Sequence, residues 1–139
     1  MALKWDGGVA VVEDEKALND LLVMMLKLKG IPVSFTAYDG PEAVQKYRDG
    51  NPKPEIVIMD YRLPTSTGVE AMKEMLKTDG KARFIFLSAD SSAKDEAILA
   101  GAVMFIMKPA SMHEVINAVE KVAADDPGGC DVPVESLRS

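Results

Sequence analysis

The sequence has very little cysteine or histidine: Cys130 and His113 are the single examples of each in 139 residues. A lone cysteine excludes an internal disulfide and is typical of proteins in a reducing compartment, so we expect a cytoplasmic protein. One histidine excludes His-rich metal sites and leaves little room for a Ser-His-Asp triad. His113 falls on the polar side of the last predicted helix, and we interpret it as a surface residue.

An excess of positive charge and long apolar runs are also missing. The net charge is −6, whereas a nucleic-acid surface requires a basic patch. No apolar run approaches the roughly 20 residues that span a bilayer. The start of the chain turns acidic after a short apolar run, unlike a signal peptide. We therefore expect neither direct nucleic-acid binding nor membrane insertion.

What the sequence does contain is an alternation of short apolar runs with amphipathic segments, which is typical of βαβ units. This pattern predicts an α/β fold, a doubly wound parallel sheet of five strands with helices on both faces. The predicted strands are 9–12, 32–37, 55–59, 83–87 and 103–107. The predicted helices lie near 16–29, 41–49, 68–78 and 92–100, with a last one beginning near Met112.

The pattern also predicts domain limits and one helix face. We expect one domain over 8–124, preceded by an extension over 1–7. The segment 125–139 has turn formers and no periodicity, so we interpret it as a flexible tail or the remnant of a linker. For the first helix, the predicted apolar face consists of Leu18, Leu21, Leu22, Met25 and Leu28.

Polar residues come directly after four of the five predicted strands. They are Glu13 and Asp14 after the first, Asp60 after the third, Ser88 after the fourth and Lys108 after the fifth. The carboxyl ends of parallel strands lie along one edge of a sheet, so we expect these side chains to lie close together. Any one of them alone is as easily explained as a helix cap or a solvated loop residue. Their joint placement at one edge favours a working site.

The chemistry of this group points to phosphoryl transfer. Three clustered carboxylates repel one another unless a cation neutralises them, and all-oxygen ligands suit Mg²⁺. A lysine supplies a point charge for phosphate, and Ser88 can donate a hydrogen bond to it. Asp60, alone on the central strand between the acidic pair and Lys108, is then the nucleophile.

The same residues resemble the receiver domains of two-component response regulators over residues 8–124. The resemblance implies a flavodoxin-like (βα)5 fold with strand order 2-1-3-4-5. The motifs that carry it occur in family order: "VVEDE" (11–15), "IVIMDYRLPTSTG" (56–68), "LSA" (87–89) and "FIMKP" (105–109).

By this resemblance Asp60 is the phosphoacceptor. Its phosphoryl group would come from a histidine kinase or a histidine phosphotransfer protein. The resemblance implies Mg²⁺ bound by Asp14, Asp60 and the Arg62 backbone carbonyl, with Glu13 acting through water. It also implies a phosphoryl group held by Lys108, Ser88 and the Ala89 backbone N–H. The protein would be a signalling switch with slow self-catalysed hydrolysis, not a metabolic enzyme.

The resemblance further implies how the signal leaves the site. Ser88 would move toward phosphorylated Asp60, and Phe105 would turn inward. This would remodel the face of the fourth helix, fifth strand and fifth helix, where a downstream protein would bind. Arg62 and Asp90 occupy positions that tune phosphoryl lifetime. We expect a monomer or weak homodimer, either standing alone or excised from a longer protein.

Three alternatives compete with this interpretation. A haloacid-dehalogenase-like phosphatase also uses an Asp nucleophile and Mg²⁺, but it needs a second Asp where Arg62 stands, as general acid. A flavin or nucleotide module needs a glycine-rich loop after the first strand, where Glu13 and Asp14 lie. The third is a receiver that keeps the fold without being phosphorylated.

Overall fold

Five parallel strands form one sheet at the centre of the computed structural model, which describes Trp5 and residues 7–79 and 81–124. The strands are β1 (Val9–Val12), β2 (Val33–Ala37), β3 (Ile56–Asp60), β4 (Arg83–Ser88) and β5 (Met104–Met107). Their order is β2-β1-β3-β4-β5, which confirms the predicted topology. The expected tail over 125–139, with Cys130, lies outside the described residues, as does most of the extension over 1–7.

Each strand is followed by a helix, and the observed helix bounds differ from the predicted ones by one residue at most where bounds were predicted. The helices are α1 (Lys16–Leu28), α2 (Gly40–Asp49), α3 (Gly68–Thr78), α4 (Ala93–Ala100) and α5 (Met112–Ala124). Within the described ranges, none of them is long and apolar enough to cross a bilayer.

The two faces of the sheet carry separate apolar layers because successive strand residues point to opposite sides. Val9, Val11, Ile56 and Ile58 belong to a cluster that includes α1 and α5 residues. Ala10, Val12, Val57 and Met59 belong to the opposite cluster, with α2, α3 and α4. All eight of these strand residues have no exposed surface. β3 is therefore covered on both faces, which is why its composition is almost wholly apolar.

The predicted apolar face of α1 is wrong in part. Leu21 is 38% exposed and Leu28 is 73% exposed, whereas the helix is buried through Asn19, Leu22 and Leu26. Those three positions have an i, i+3, i+7 spacing. Because an asparagine occupies the first of them, a search for apolar residues alone places the face about one position off.

Candidate functional site

Three carboxylates meet where β1 and β3 end side by side. Glu13 and Asp14 come directly after β1, and Asp60 is the last residue of β3; a carboxylate oxygen from each lies within 4.8 Å of the others. Glu13 and Asp60 are buried at 1% and 6% exposure, whereas Asp14 is exposed. The sheet therefore brings the predicted acids together and leaves one side of the group open to solvent.

Lys108 reaches the same group from the end of β5. Its Nζ lies 3.1 Å from Glu13 Oε1 and 3.5 Å from Asp60 Oδ1. Its backbone N–H donates to the Ser88 carbonyl at 2.8 Å, which fixes the lysine to the end of β4. The peptide bond to Pro109 is cis. Lys108 thus bridges two carboxylates across the carboxyl edge of the sheet.

The charges in this group perturb one another. Burial, reinforced by the negative charge of Glu13, raises the pKa of Asp60 to about 7, although Lys108 opposes the shift. Burial alone would lower the pKa of Lys108, but the Asp60 and Glu13 carboxylates outweigh it and raise that pKa. A carboxyl group with a pKa of about 7 thus lies beside a lysine whose raised pKa keeps it protonated.

The donor set fits Mg²⁺. It consists of carboxylate oxygens from Glu13, Asp14 and Asp60, with one member on the solvent side. Mg²⁺ prefers hard oxygen ligands, needs only one or two carboxylates and keeps several waters. Burial is the main cause of the raised pKa of Asp60, and a cation there would offset the further rise caused by the negative charges of Glu13 and Asp14.

Ser88 and Ala89 lie beside the group, at the end of β4. Ser88 is 2% exposed, and its Oγ accepts a hydrogen bond from the Asp90 backbone N–H at 3.0 Å. Among the described residues the Ser88 hydroxyl donates no hydrogen bond, so its proton is available to a further acceptor. Ser88 is not the cap of α4, which begins five residues later at Ala93. Ala89 is exposed at the mouth of the site.

The loop after Asp60 is held by backbone contacts. Tyr61 N–H donates to the Leu87 carbonyl at 3.1 Å, and the Tyr61 carbonyl accepts from Gly68 N–H at 2.6 Å. A Cβ at Gly68 would lie 2.3 Å from the Asp60 carbonyl oxygen. Only glycine lets the start of α3 approach the end of β3 this closely, which accounts for the glycine that closes the loop.

Two side-chain contacts connect this loop to the β4–α4 segment. Arg62 Nη2 lies 3.3 Å from Asp90 Oδ2, so the two residues predicted to tune lifetime are in contact. The Tyr61 hydroxyl donates to Glu96 Oε1 at 2.7 Å, a contact that sequence analysis missed. The Arg62 backbone forms an isolated bridge with Thr67. Its predicted role as a carbonyl ligand stays a prediction.

Phe105 and His113 lie on β5 and α5. Phe105 is half-buried on β5, paired with Phe86 of β4 and packed against the α2–α4 side of the core. His113 is exposed near the start of α5, as predicted. The exposed apolar residues Leu99 and Met107 lie on α4 and β5.

Comparison with known proteins agrees with this geometry. The family profile described as the response regulator receiver domain matches residues 9–120. The chain is 38% identical to the chemotaxis protein CheY of Thermotoga maritima, covering 83% of this chain and 96% of the relative. It is 34% identical to CheY of Bacillus subtilis, covering 81% and 94%. A CheX-CheY-BeF3-Mg²⁺ complex from Borrelia burgdorferi superposes with a TM-score of 0.78 at 29% identity, covering 84% and 89%.

Proposed function

The chain belongs to the response regulator receiver domain family, a family of phosphoacceptor signalling switches, and on that basis we propose that Asp60 is its phosphoacceptor. The observation that supports this most directly is the position of Asp60. It ends the buried central strand 3.5 Å from the Lys108 Nζ, within the same carboxylate cluster as Glu13 and Asp14. The donor would be the phosphohistidine of a histidine kinase or a histidine phosphotransfer protein.

The contacts of the three acids distinguish their roles. Both carboxylate oxygens of Glu13 are engaged, one by Lys108 at 3.1 Å and the other by the Glu15 N–H at 3.0 Å. Asp14 is exposed and faces the solvent side of the cluster. Asp60 ends the central strand beside Glu13, and the Lys108 Nζ lies at the longer distance of 3.5 Å from its Oδ1. It is therefore the carboxylate best placed to attack an incoming phosphorus atom.

In the proposed step, an Asp60 carboxylate oxygen forms a bond to phosphorus while the bond from phosphorus to the histidine nitrogen breaks. Bound Mg²⁺, held by Asp14, Asp60 and the Arg62 carbonyl with Glu13 acting through water, would supply positive charge at the phosphoryl oxygens. Lys108 would pair with a second oxygen, and the Ser88 hydroxyl and Ala89 N–H would donate to the third. Hydrolysis later returns Asp60 to its starting state.

We propose that the Arg62–Asp90 pair, whose side chains are 3.3 Å apart, covers the opening of the site and slows hydrolysis by restricting water. Arg62→Ala removes this cover, so we expect loss of the phosphoryl group to accelerate several-fold. Arg62 is the cleaner position to change, because Asp90 also accepts two hydrogen bonds from Ser92. An unchanged dephosphorylation rate would show that the contact is an ordinary surface ion pair with no effect on phosphoryl lifetime.

The output is proposed to pass through the α4-β5-α5 face. Ser88 would move toward the phosphoryl group and Phe105, now half-buried, would turn inward, a local charge event that changes a packing arrangement. Leu99 and Met107 offer apolar surface for a downstream protein on this face. We further propose a cytoplasmic protein that is a monomer or weak homodimer and does not bind nucleic acid directly.

The deciding experiment is intact-mass measurement after incubation with acetyl phosphate and Mg²⁺. We expect one phosphoryl adduct that disappears in an Asp60→Asn variant and in a sample treated with chelator. An Asp14→Asn variant should form the adduct more slowly, with the deficit reduced at high Mg²⁺. A folded wild-type protein that binds Mg²⁺ yet gains no adduct would instead support the phosphorylation-independent receiver.

A further inference from the structure

Asn19 is a buried polar residue on the apolar face of α1. Its exposure is 1%, beside Leu22 and Leu26 at 0%. The side-chain Nδ2 donates two hydrogen bonds, to the Glu13 carbonyl at 3.1 Å and to the Ala37 carbonyl at 3.2 Å. The amide thus connects Glu13, the first residue after β1, to Ala37 at the end of β2.

The oxygen atom of the same amide differs from the nitrogen. Asn19 Oδ1 is buried without a hydrogen-bond partner among the described residues. A buried acceptor without a partner costs stability, and native proteins contain few of them. An apolar residue at this position of α1 would avoid that cost. It would also remove the two donated bonds to the Glu13 and Ala37 carbonyls, so these bonds are what the asparagine contributes.

Those bonds fix the backbone that carries Asp14. The Asp14 side chain forms neither a hydrogen bond nor an ion pair within 7–79 or 81–124, so the backbone of the turn determines its direction. Glu13 N–H donates to the same Ala37 carbonyl that Asn19 uses, at 3.1 Å. Both backbone polar groups of Glu13 are thus engaged, its N–H directly by β2 and its carbonyl by the Asn19 amide, which also bonds to β2.

We propose that Asn19 is a positioning residue for Mg²⁺ binding: by holding the Glu13 carbonyl against the end of β2, it sets the turn that directs Asp14 toward the metal. This inference rests on the proposed function, because it assumes that the carboxylate cluster binds Mg²⁺. Residues that hydrogen-bond to metal ligands and orient them typically affect metal affinity by roughly 10–100-fold. Asn19 acts through backbone, so we expect an effect of roughly tenfold.

The test measures Mg²⁺ affinity by titration calorimetry in wild type, Asn19→Leu and Asn19→Ala. Leu22→Ala is the matched control, since Leu22 is equally buried on the same helix but lies in the apolar layer. We expect the Mg²⁺ dissociation constant to rise roughly tenfold in both Asn19 variants and by less than about twofold in the control. Chemical unfolding of each variant shows how much stability each has lost.

A second measurement separates positioning from general damage. In the acetyl phosphate reaction, the Asn19 variants should need roughly tenfold more Mg²⁺ for half-maximal labelling, yet reach the wild-type rate at saturation. Mg²⁺ affinity in both Asn19 variants that matches Leu22→Ala would overturn the proposal. A wild-type protein that binds no Mg²⁺ would overturn the proposed metal site as well. Normal wild-type binding and labelling with unaffected Asn19 variants would overturn the positioning role alone.

Discussion

The two central βα units, β3–α3 and β4–α4, both supply residues to the site but are attached to the core very differently. α3 buries five residues: Gly68, Val69, Ala71, Met72 and Met75. α4 buries only two small ones, Ala93 and Ala97, and leaves Leu99 87% exposed. Buried apolar area is the main source of helix attachment. The helix after Asp60 is therefore anchored by more buried surface than the helix after Ser88.

The ends of the two helices show the same contrast. α3 begins with a capping box in which Thr67 and Glu70 satisfy each other's backbone N–H groups. Ser92, at the start of α4, makes no such side-chain bond to the helix. α4 is instead connected to the neighbouring unit through Tyr61–Glu96, and the segment before it through Arg62–Asp90. Weakly packed elements open most easily, so we expect α4 to open more readily than α3.

The largest expected difference between the units is in core packing. Met72→Ala in α3 removes a fully buried side chain and should lower the free energy of unfolding by about 2–5 kcal/mol. Leu99→Ala in α4 changes an exposed residue and should stay within about 0.5 kcal/mol of wild type. Urea denaturation of the two variants measures both values. Similar losses in the two would contradict the contrast.

The next difference is in pH dependence, because β3 ends in a carboxyl group and β4 in a hydroxyl. The pKa of Asp60 is raised to about 7 by burial, so the folded protein binds a proton that the unfolded chain releases near pH 4. Without metal, the free energy of unfolding should therefore fall as pH rises from about 4 to 7, by up to about 4 kcal/mol, since each unit of pKa shift is worth about 1.4 kcal/mol.

Two variants test whether Asp60, at the end of β3, causes this pH dependence. Asp60→Asn should remove most of the decline, whereas Ser88→Ala should retain it, since Ser88 does not titrate. The measurement is urea denaturation across this pH range with a chelator present. If the decline persists in Asp60→Asn, another group is responsible for it.

A smaller difference is expected at the helix starts. Thr67→Ala breaks the capping box of α3 and should cost about 1 kcal/mol of unfolding free energy. Ser92→Ala loses only a hydrogen bond to Asp90, and should cost a few tenths of a kcal/mol, as for other surface substitutions. Thermal unfolding of matched samples compares them. Equal costs would mean that α4 is capped as firmly as α3.

Most of this architecture could be predicted from the sequence because it depends on local patterns. Apolar runs located the strands, and a parallel sheet necessarily gathers the residues after its strands at one edge. Asp60 and Lys108 were therefore expected to be close, although 48 positions separate them in the chain. The residue types then indicated the chemistry.

The features that the sequence could not predict depend on tertiary contacts of single polar groups. Asn19 interrupts an apolar spacing, so the pattern moved the predicted face of α1 to include Leu21 and Leu28. The Tyr61–Glu96 contact joins residues 35 positions apart, and neither residue has a periodic signal. The loose attachment of α4 results from having alanines at its two buried positions, a matter of side-chain size that an apolar pattern does not measure.

The smallest expected effect concerns Tyr61, which gives α4 a hydrogen bond from the neighbouring unit. Tyr61→Phe removes the 2.7 Å bond to Glu96 and should change the global free energy of unfolding by less than about 0.5 kcal/mol, since the contact is exposed. Because α4 has so little buried surface, its amide hydrogens should nevertheless exchange a few-fold faster, while those of α3 should not. Hydrogen exchange with mass spectrometry measures both helices in one sample. As a control, Glu96→Gln keeps an acceptor for the Tyr61 hydroxyl, so the amide hydrogens of α4 should exchange more like those of wild type. Unchanged exchange of α4 in Tyr61→Phe would show that the two buried alanines hold the helix without this bond.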